Sequence, residues 1–309
     1  MNSIIFPGQG SQYVGMCKNW YENFDEAKRV FNEADKILNE PLSNIIFQGP
    51  EEDLIKTNNA QPAILISSIA LLEVIKSEKK IDLNNFCKFL AGHSLGEYTA
   101  LYASEALDFR SVVKLVKHRG ILMSKSDKTG KGKMAAIIGL KLSEIEKILK
   151  DIKKKGVCEI ANDNSEGQVV ISGHKEAVDL FKSTAKNCGA KLTIDLKVSA
   201  PFHCKLMEDA AKKMKAEINK TSFNKFKVPI ISNVKAIPCD NDLEFKSLLS
   251  QQITMTVKWR ETILFMENEG VKRIFEIGPG NVLSGLVKRI TKNIECFSIQ
   301  NPEDMDNLT

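Results

Sequence analysis

Residues 85–107 read NFCKFLAGHSLGEYTALYASEAL: an apolar strand-like run, a G-x-S-x-G turn at Gly92, Ser94 and Gly96, then a helical pattern. A strand that turns this sharply into a helix belongs to layered α/β proteins, which restricts the chain to that class. Glycine is needed on both sides of the serine because the backbone is crowded where strand meets helix. Chance yields roughly 0.1 such matches in a chain of this length and ordinary composition. The strand before it and the helix after it make Ser94 a candidate nucleophile. The amide of Leu95, at the helix N-terminus, would point at any oxyanion formed on attack.

The rest of the chain extends the alternation. SIIF at 3–6 reads as a strand running into FPGQGSQ, and residues 21–39 and 63–76 read as helices. The strand at 85–91 enters the serine turn. Helices are expected from Gly96 through Leu107 and from Phe109 to about Met123. A Gly/Lys-rich break, DKTGKGK at 127–133, comes next. Beyond it lie strand 134–140, helix 143–156, the strands CEIAND and GQVVISG, helix 174–189 and strand 191–198. That order is β-α-β-β-α-β, the ferredoxin-like unit. In the last strand Leu192, Ile194, Leu196 and Val198 share one face, the pattern of a half-buried strand. The chain therefore divides into a large α/β domain, 1–130 and 200–309, and an inserted subdomain, 131–199. The large domain is expected to close with strand 273–277, the turn GPG and the helix NVLSGLVKRI.

Composition narrows the function. The 309 residues are 43% hydrophobic and 27% charged, ordinary for a globular protein. The first residues lack the basic and long apolar regions of a secretory signal. AILISSIALLEVI at 63–75 is short and serine-rich for a bilayer span and reads as a core helix. Seven scattered cysteines without a C-x-x-C pair point to free thiols in the reducing cytoplasm, with no disulfide framework or zinc site. The net charge of +5 is carried by lysine, since six of the 44 basic residues are arginine. It either solvates the surface or offers a mildly positive face to an acidic partner. No basic stripe with interleaved aromatics points to nucleic acid.

A serine needs a base. Of the four histidines, His93 adjoins the serine and should point elsewhere, His118 lies on a polar helix face, and His174 opens a subdomain helix at the surface. His203 follows Pro201, which suits a first helical turn, and the positive end of a helix there would favour neutral imidazole. By itself a lone histidine such as His203 is more often structural than a base. Arg119 is out of place. It shares an apolar stripe with Val112, Leu115 and Val116, where an arginine is costly unless something negative meets it. Two readings stand: a structural salt bridge, or a fork for a substrate carboxylate.

Taken together, FPGQGSQ at 6–12, GHSLGEY at 92–98, Arg119 in HRG, APFH at 200–203 and EIGPG at 276–280 resemble the malonyl-CoA:acyl-carrier-protein transacylases, in family order and over essentially the whole chain. The resemblance implies an α/β-hydrolase-like large domain with a ferredoxin-like insertion. It implies Ser94 as nucleophile, His203 as base, the amides of Gln9 and Leu95 as oxyanion hole, and Arg119 as holder of the malonyl carboxylate. Gln252 would orient the histidine by accepting its ring N–H, and Asn162 would line the acyl-carrier or pantetheine approach. Phe202 resembles malonyl-selective members, a bulky ring leaving little room for an α-methyl group. The implied substrates are malonyl-CoA and holo acyl carrier protein, with a CoA thioester as acyl donor and no bound cofactor, metal, nucleic acid or membrane. Two departures stand out: Thr256 occupies a position before Val257 that is usually proline, and Glu166 replaces a frequent proline.

Rival readings are a late-histidine hydrolase, a patatin-like Ser–Asp lipase, a non-catalytic carrier-binding subunit and a polyketide-type acyltransferase. The chain after His203 contains no histidine, and no Asp-Gly pair occurs, which disfavours the two hydrolases. The full set of candidate catalytic residues argues against the binding subunit.

Overall fold

The structure is a computed structural model that describes residues 1–127 and 130–308. Residues 128 and 129, inside the Gly/Lys-rich break, lie outside the described residues. Two sheets organise the fold. The larger is built from β1 (Asn2–Phe6), β2 (Cys87–Gly92), β7 (Ile230–Ile231), β8 (Pro238–Cys239), β9 (Arg273–Ile277) and β10 (Glu295–Ile299), in the order β10-β9-β1-β2-β7-β8. Its pairs are parallel except the short β7–β8 pair. Both of its faces are covered, as parallel sheets require. Ile4 and Phe6 of β1 and Leu90 of β2 pack into one core cluster, while Ile5, Phe89 and Ala91 pack into another with Trp259 and Ile263.

The helix Thr57–Glu78 is long and apolar enough to cross a membrane, but 83% of its most apolar window is buried inside the protein. It is the central core helix, running through Pro62 and starting earlier than the sequence pattern indicates. The serine helix, Gly96–Ala103, stops four residues short of Leu107. The entering strand begins at Cys87, because Leu83–Phe86 form a helical turn capped by Asp82. Beyond the helix Val282–Ile290 the chain adds β10 as a further parallel strand on the sheet edge, which the sequence reading lacks.

The second sheet contains β3 (Gly132–Ile138), β4 (Cys158–Ser165), β5 (Gln168–His174) and β6 (Leu192–Asp195), all antiparallel, in the order β4-β5-β3-β6. The helices Leu142–Ile152 and Lys175–Asn187 separate the strands in sequence as β-α-β-β-α-β. Ala135, Ile137, Val169 and Ile171 face the core formed with Ile145, Ile148, Val178 and Phe181.

The last strand corrects an expectation. β6 ends at Asp195, and Leu192 and Ile194 are 57% and 48% exposed. Register gives the reason. Ile194 pairs with Ala136 and Leu192 with Ile138, whereas core-facing Ile137 pairs with Thr193. The apolar face of β6 is thus turned from the small sheet's core, and beyond the strand Leu196 and Val198 line the cavity at Ser94. Ile137→Ala should cost roughly 2–5 kcal/mol in urea unfolding, whereas Leu192→Ser should shift stability by no more than about 0.5 kcal/mol.

Candidate active site

The serine turn stands at the C-terminal end of β2, beside the loop after β1, where open α/β sheets bind ligands. A Cβ on Gly92 would lie 1.9 Å from the Gly96 carbonyl carbon, and one on Gly96 would lie 2.3 Å from the Phe6 carbonyl oxygen. No side chain fits at either position. Ser94 itself has φ of 51°, a left-handed conformation costing about 1–3 kcal/mol that lifts its hydroxyl out of the turn.

Ser94 Oγ lies 2.8 Å from His203 Nε2, and His203 Nδ1 lies 2.7 Å from the backbone carbonyl of Gln252. Since a carbonyl only accepts, Nδ1 carries the proton and Nε2 is left to accept from the serine. His203 does not sit in a first helical turn. The helix begins at Glu208 after a 3-10 turn, Lys205–Met207, and His203 has φ of 57°. Burial and the nearby Arg119 charge, rather than a helix end, push the imidazole down to about 3 from its usual 6.5.

The other histidines lie elsewhere. His93 Nε2 meets Asn164 Oδ1 at 2.8 Å, with its ring edge-on to Trp259. His118 is half-buried, and exposed His174 accepts from the Val157 amide.

Arg119 is 1% exposed. Its Nη2 donates to Ser94 Oγ at 3.0 Å and to Gln252 Oε1 at 2.9 Å, and its Nη1 donates to Gln61 Oε1 at 2.7 Å. Among the described residues it makes no salt bridge, and its Nε has no hydrogen-bond partner. The Tyr98 ring lies 5.6 Å from the guanidinium. A full buried charge is therefore held by neutral groups beside the serine. Gly120 permits this: a Cβ there would come 2.9 Å from the Thr57 carbonyl, so the two helices cross closely at this point.

Gln9 follows β1, and its Nε2 donates to Thr57 Oγ1 at 3.2 Å. Among the described residues, neither its backbone amide nor that of Leu95 donates a hydrogen bond. A cavity of about 100 Å³ is bounded by Gln9, Ser94, Leu95, Arg119, Phe202 and His203. Asn162, 7% exposed, lines both this cavity and a neighbouring groove that runs between the small sheet and Val282. Where proline was expected, Thr256 Oγ1 donates to the Ile160 carbonyl at 2.6 Å, and Val257 bridges Asn162. The segment after Gln252 is thus tied to β4 by a hydrogen bond that proline could not make. Glu166 lies exposed in the β4–β5 turn.

Two buried residues escaped the sequence reading. Glu97 accepts from the Asn233 amide at 2.7 Å and from Gln252 Nε2 at 2.5 Å, and Asn233 Oδ1 accepts from the Ser94 amide at 2.8 Å. Glu97 lies three residues after Ser94, in the first turn of the helix Gly96–Ala103. Asn233 carries no comparable sequence signal.

A family model described as "acyl transferase domain" matches residues 4–301. The chain belongs to that family. This acyltransferase is 42% identical over 305 residues to the malonyl CoA-acyl carrier protein transacylase of Bacillus subtilis (strain 168), covering 98% of this chain and 95% of that one. An acyl-carrier-protein-S-malonyltransferase from Bartonella henselae superposes with a TM-score of 0.97 at 42% identity, covering 99% and 97% of the two chains. A further structure, titled as a type II PKS acyl-carrier protein in complex with its malonyl-transacylase, matches with a TM-score of 0.95 at 36% identity, covering 99% and 98%.

The crowding at the acyltransferase's serine turn has a measurable consequence. Gly92→Ala should cost about 3 kcal/mol or more in chemical unfolding, since nearby backbone atoms must move to admit the methyl group.

Proposed function

We propose that this acyltransferase moves a malonyl group from malonyl-CoA to the phosphopantetheine thiol of holo acyl carrier protein, supplying type II fatty acid synthesis in the cytoplasm. The observation that carries this reading is Arg119. A buried guanidinium without an anionic partner, 3.0 Å from the candidate nucleophile, is a site for an acyl group that ends in a carboxylate. The names of the relatives support the same substrate class. The layout read from the sequence, an α/β-hydrolase-like domain with a ferredoxin-like insertion, is part of the proposal.

The reaction is ping-pong. His203 Nε2 takes the Ser94 proton as Oγ attacks the thioester carbonyl. The amides of Gln9 and Leu95 hold the oxyanion, the C–S bond breaks, and His203 returns the proton to the departing CoA thiolate. The pantetheine thiol of the carrier then gives its proton to His203 and attacks the malonyl-serine. The C–Oγ bond breaks and Ser94 recovers its proton. Arg119 holds the carboxylate throughout, which fixes the acyl group and disfavours acetyl. The Gln252 carbonyl keeps the His203 tautomer, Asn162 lines the pantetheine approach, and Phe202 limits the space beside the acyl α-carbon. Every step is acyl or proton transfer, so the proposal calls for no metal or redox cofactor.

Intact-mass spectrometry tests it. Malonyl-CoA should add one malonyl group at Ser94, and holo acyl carrier protein should remove it and become malonylated. Free malonate accumulating without carrier would mark a hydrolase instead, and no adduct would leave a binding subunit. In Arg119→Ala, malonyl transfer should fall roughly 100-fold, matching about 3 kcal/mol for a lost charge-assisted pair, while acetyl transfer holds. Equal loss for both donors would make Arg119 structural.

A pH titration tests the base. His203 should remain the neutral Nδ1–H tautomer from pH 8 down to pH 5 in nitrogen-15 histidine spectra, because its value lies at about 3. Protonation near 6.5 would show that burial and the Arg119 charge do not hold the ring neutral in the folded protein. The linkage has a definite sign. The unfolded chain takes up a proton below about 6.5 that native His203 refuses, so this residue's contribution to stability is lost as pH falls from 6.5 toward 3.

A further inference from the structure

Gln252 meets the reacting groups at more points than its carbonyl. Its side chain is fully buried at the end of the helix Asp242–Gln252. Oε1 accepts from Arg119 Nη2 at 2.9 Å, while Nε2 donates to the Ser94 carbonyl at 2.8 Å and to Glu97 Oε2 at 2.5 Å, with Asn233 Oδ1 at 3.3 Å. A side-chain amide can be rotated by half a turn without changing its shape, so its neighbours decide which end points where. Rotated, Gln252 would aim its NH2 at the Arg119 guanidinium, donor against donor. Its oxygen would face the Ser94 carbonyl and the Glu97 carboxylate, acceptor against acceptors.

Among those neighbours Glu97 is the strongest acceptor. It is 1% exposed, and its second oxygen is pinned by the Asn233 amide at 2.7 Å, so it cannot swing away. Asn233 is fixed in turn, with Nδ2 donating to the Gly92 carbonyl at 2.7 Å and Oδ1 accepting from the Ser94 amide. The carboxylate is therefore built into the serine turn. It stands one hydrogen-bonded amide away from a guanidinium that has no acid of its own.

We infer that Glu97 is a positioning residue for acyl selection: its carboxylate holds the Gln252 amide in the one orientation that presents an acceptor to Arg119, and thereby aims the guanidinium at the acyl carboxylate. Glu97 touches neither the acyl group nor the nucleophile's oxygen. Burial pushes its carboxyl up to about 7, and the Asn233, Gln252 and Arg119 interactions pull the other way, favouring the ionised form that accepts from two donors.

This inference rests on the acyl-transfer reading, and the experiment separates the two. Glu97→Gln is nearly isosteric but puts an NH2 where one carboxylate oxygen was. It then opposes either the Asn233 amide or Gln252 Nε2, and the second clash is relieved by rotating Gln252. Ser94 labelling by malonyl-CoA and by acetyl-CoA is followed by intact mass in wild type and in the variant, with the thermal midpoint measured on both. The variant's kcat/KM for malonyl-CoA should fall on the order of 10- to 100-fold, a loss expected of a misplaced binding group, while acetyl labelling changes little. A folded variant that keeps the wild-type malonyl-to-acetyl ratio overturns the inference. If wild type itself is not labelled, the acyl-transfer reading fails instead.

A measurement on wild type covers a variant that does not fold. In glutamine-labelled protein the Gln252 side-chain NH2 should be shifted downfield and slow to exchange, as a donor locked on a carboxylate. A Gln252 amide with the shifts and exchange of an exposed glutamine overturns the inference equally.

Discussion

A guanidinium buried among neutral partners is the constraint around which the rest of the site is arranged. Removing a full charge from water costs several kcal/mol, and the hydrogen bonds it donates to Gln61 and Gln252 return part of that cost. Such a charge stays in place only where the surrounding packing allows no retreat. The core helix Thr57–Glu78 supplies Gln61, and the close crossing at Gly120 keeps the arginine's own helix against it. Gln252 reaches in from a third helix. Three elements distant in sequence therefore converge on one group, and the stability of their shared core holds an electrostatically unfavourable arrangement.

The same core supports strain at the serine and the histidine. Ser94 and His203 both occupy left-handed backbone conformations that side chains with a Cβ seldom adopt. At Ser94 the distortion follows from the glycine contacts on either side of it. At His203 the chain leaves the small sheet and has not yet entered the helix Glu208–Lys220, so no regular hydrogen bonding fixes it. The Gln252 carbonyl and Ser94 Oγ fix it instead. The candidate base and nucleophile are thus oriented through each other, and the pair depends on the segment after Gln252 staying on β4, where Thr256 and Val257 hold it.

How much of this was legible follows from which signals are local. The serine turn could be read because strand, glycine, serine and helix are adjacent in sequence. Arg119 could be read because a charge on an apolar stripe conflicts with its neighbours wherever the helix packs. His203 could be named, but its setting could not, since Pro201 opens no helix here and the imidazole is kept neutral by burial and by an arginine 84 positions away in the chain. The alternation in β6 was visible, while the face it presents was set by register against β3, which no local pattern encodes. Glu97 and Asn233 were missed for a related reason. A buried carboxylate on a short helix looks like an ordinary first-turn acid until the partners that bury it, 136 and 155 residues away, are known.

That misread strand bears on how the proposed chemistry favours a thiol over water. An apolar strand face turned from its own core would be a liability on an isolated subdomain. Here its continuation, Leu196 and Val198, joins Met123, Met134 and Phe202 around the cavity at Ser94. In the proposed reaction an acyl group on Ser94 would share this cavity, about 100 Å³, with those apolar side chains. A water beside the acyl group would meet those apolar side chains on one side of the cavity, while Arg119 would already be occupied by the acyl carboxylate. In the proposed reaction a pantetheine arm entering past Asn162 would instead lay its methylene groups against those side chains and bring the thiol to the ester. If the proposed acyl-serine forms, the continuation of β6 would do more than cover the serine: it would give a long thiol an apolar surface to lie on that a water could not use.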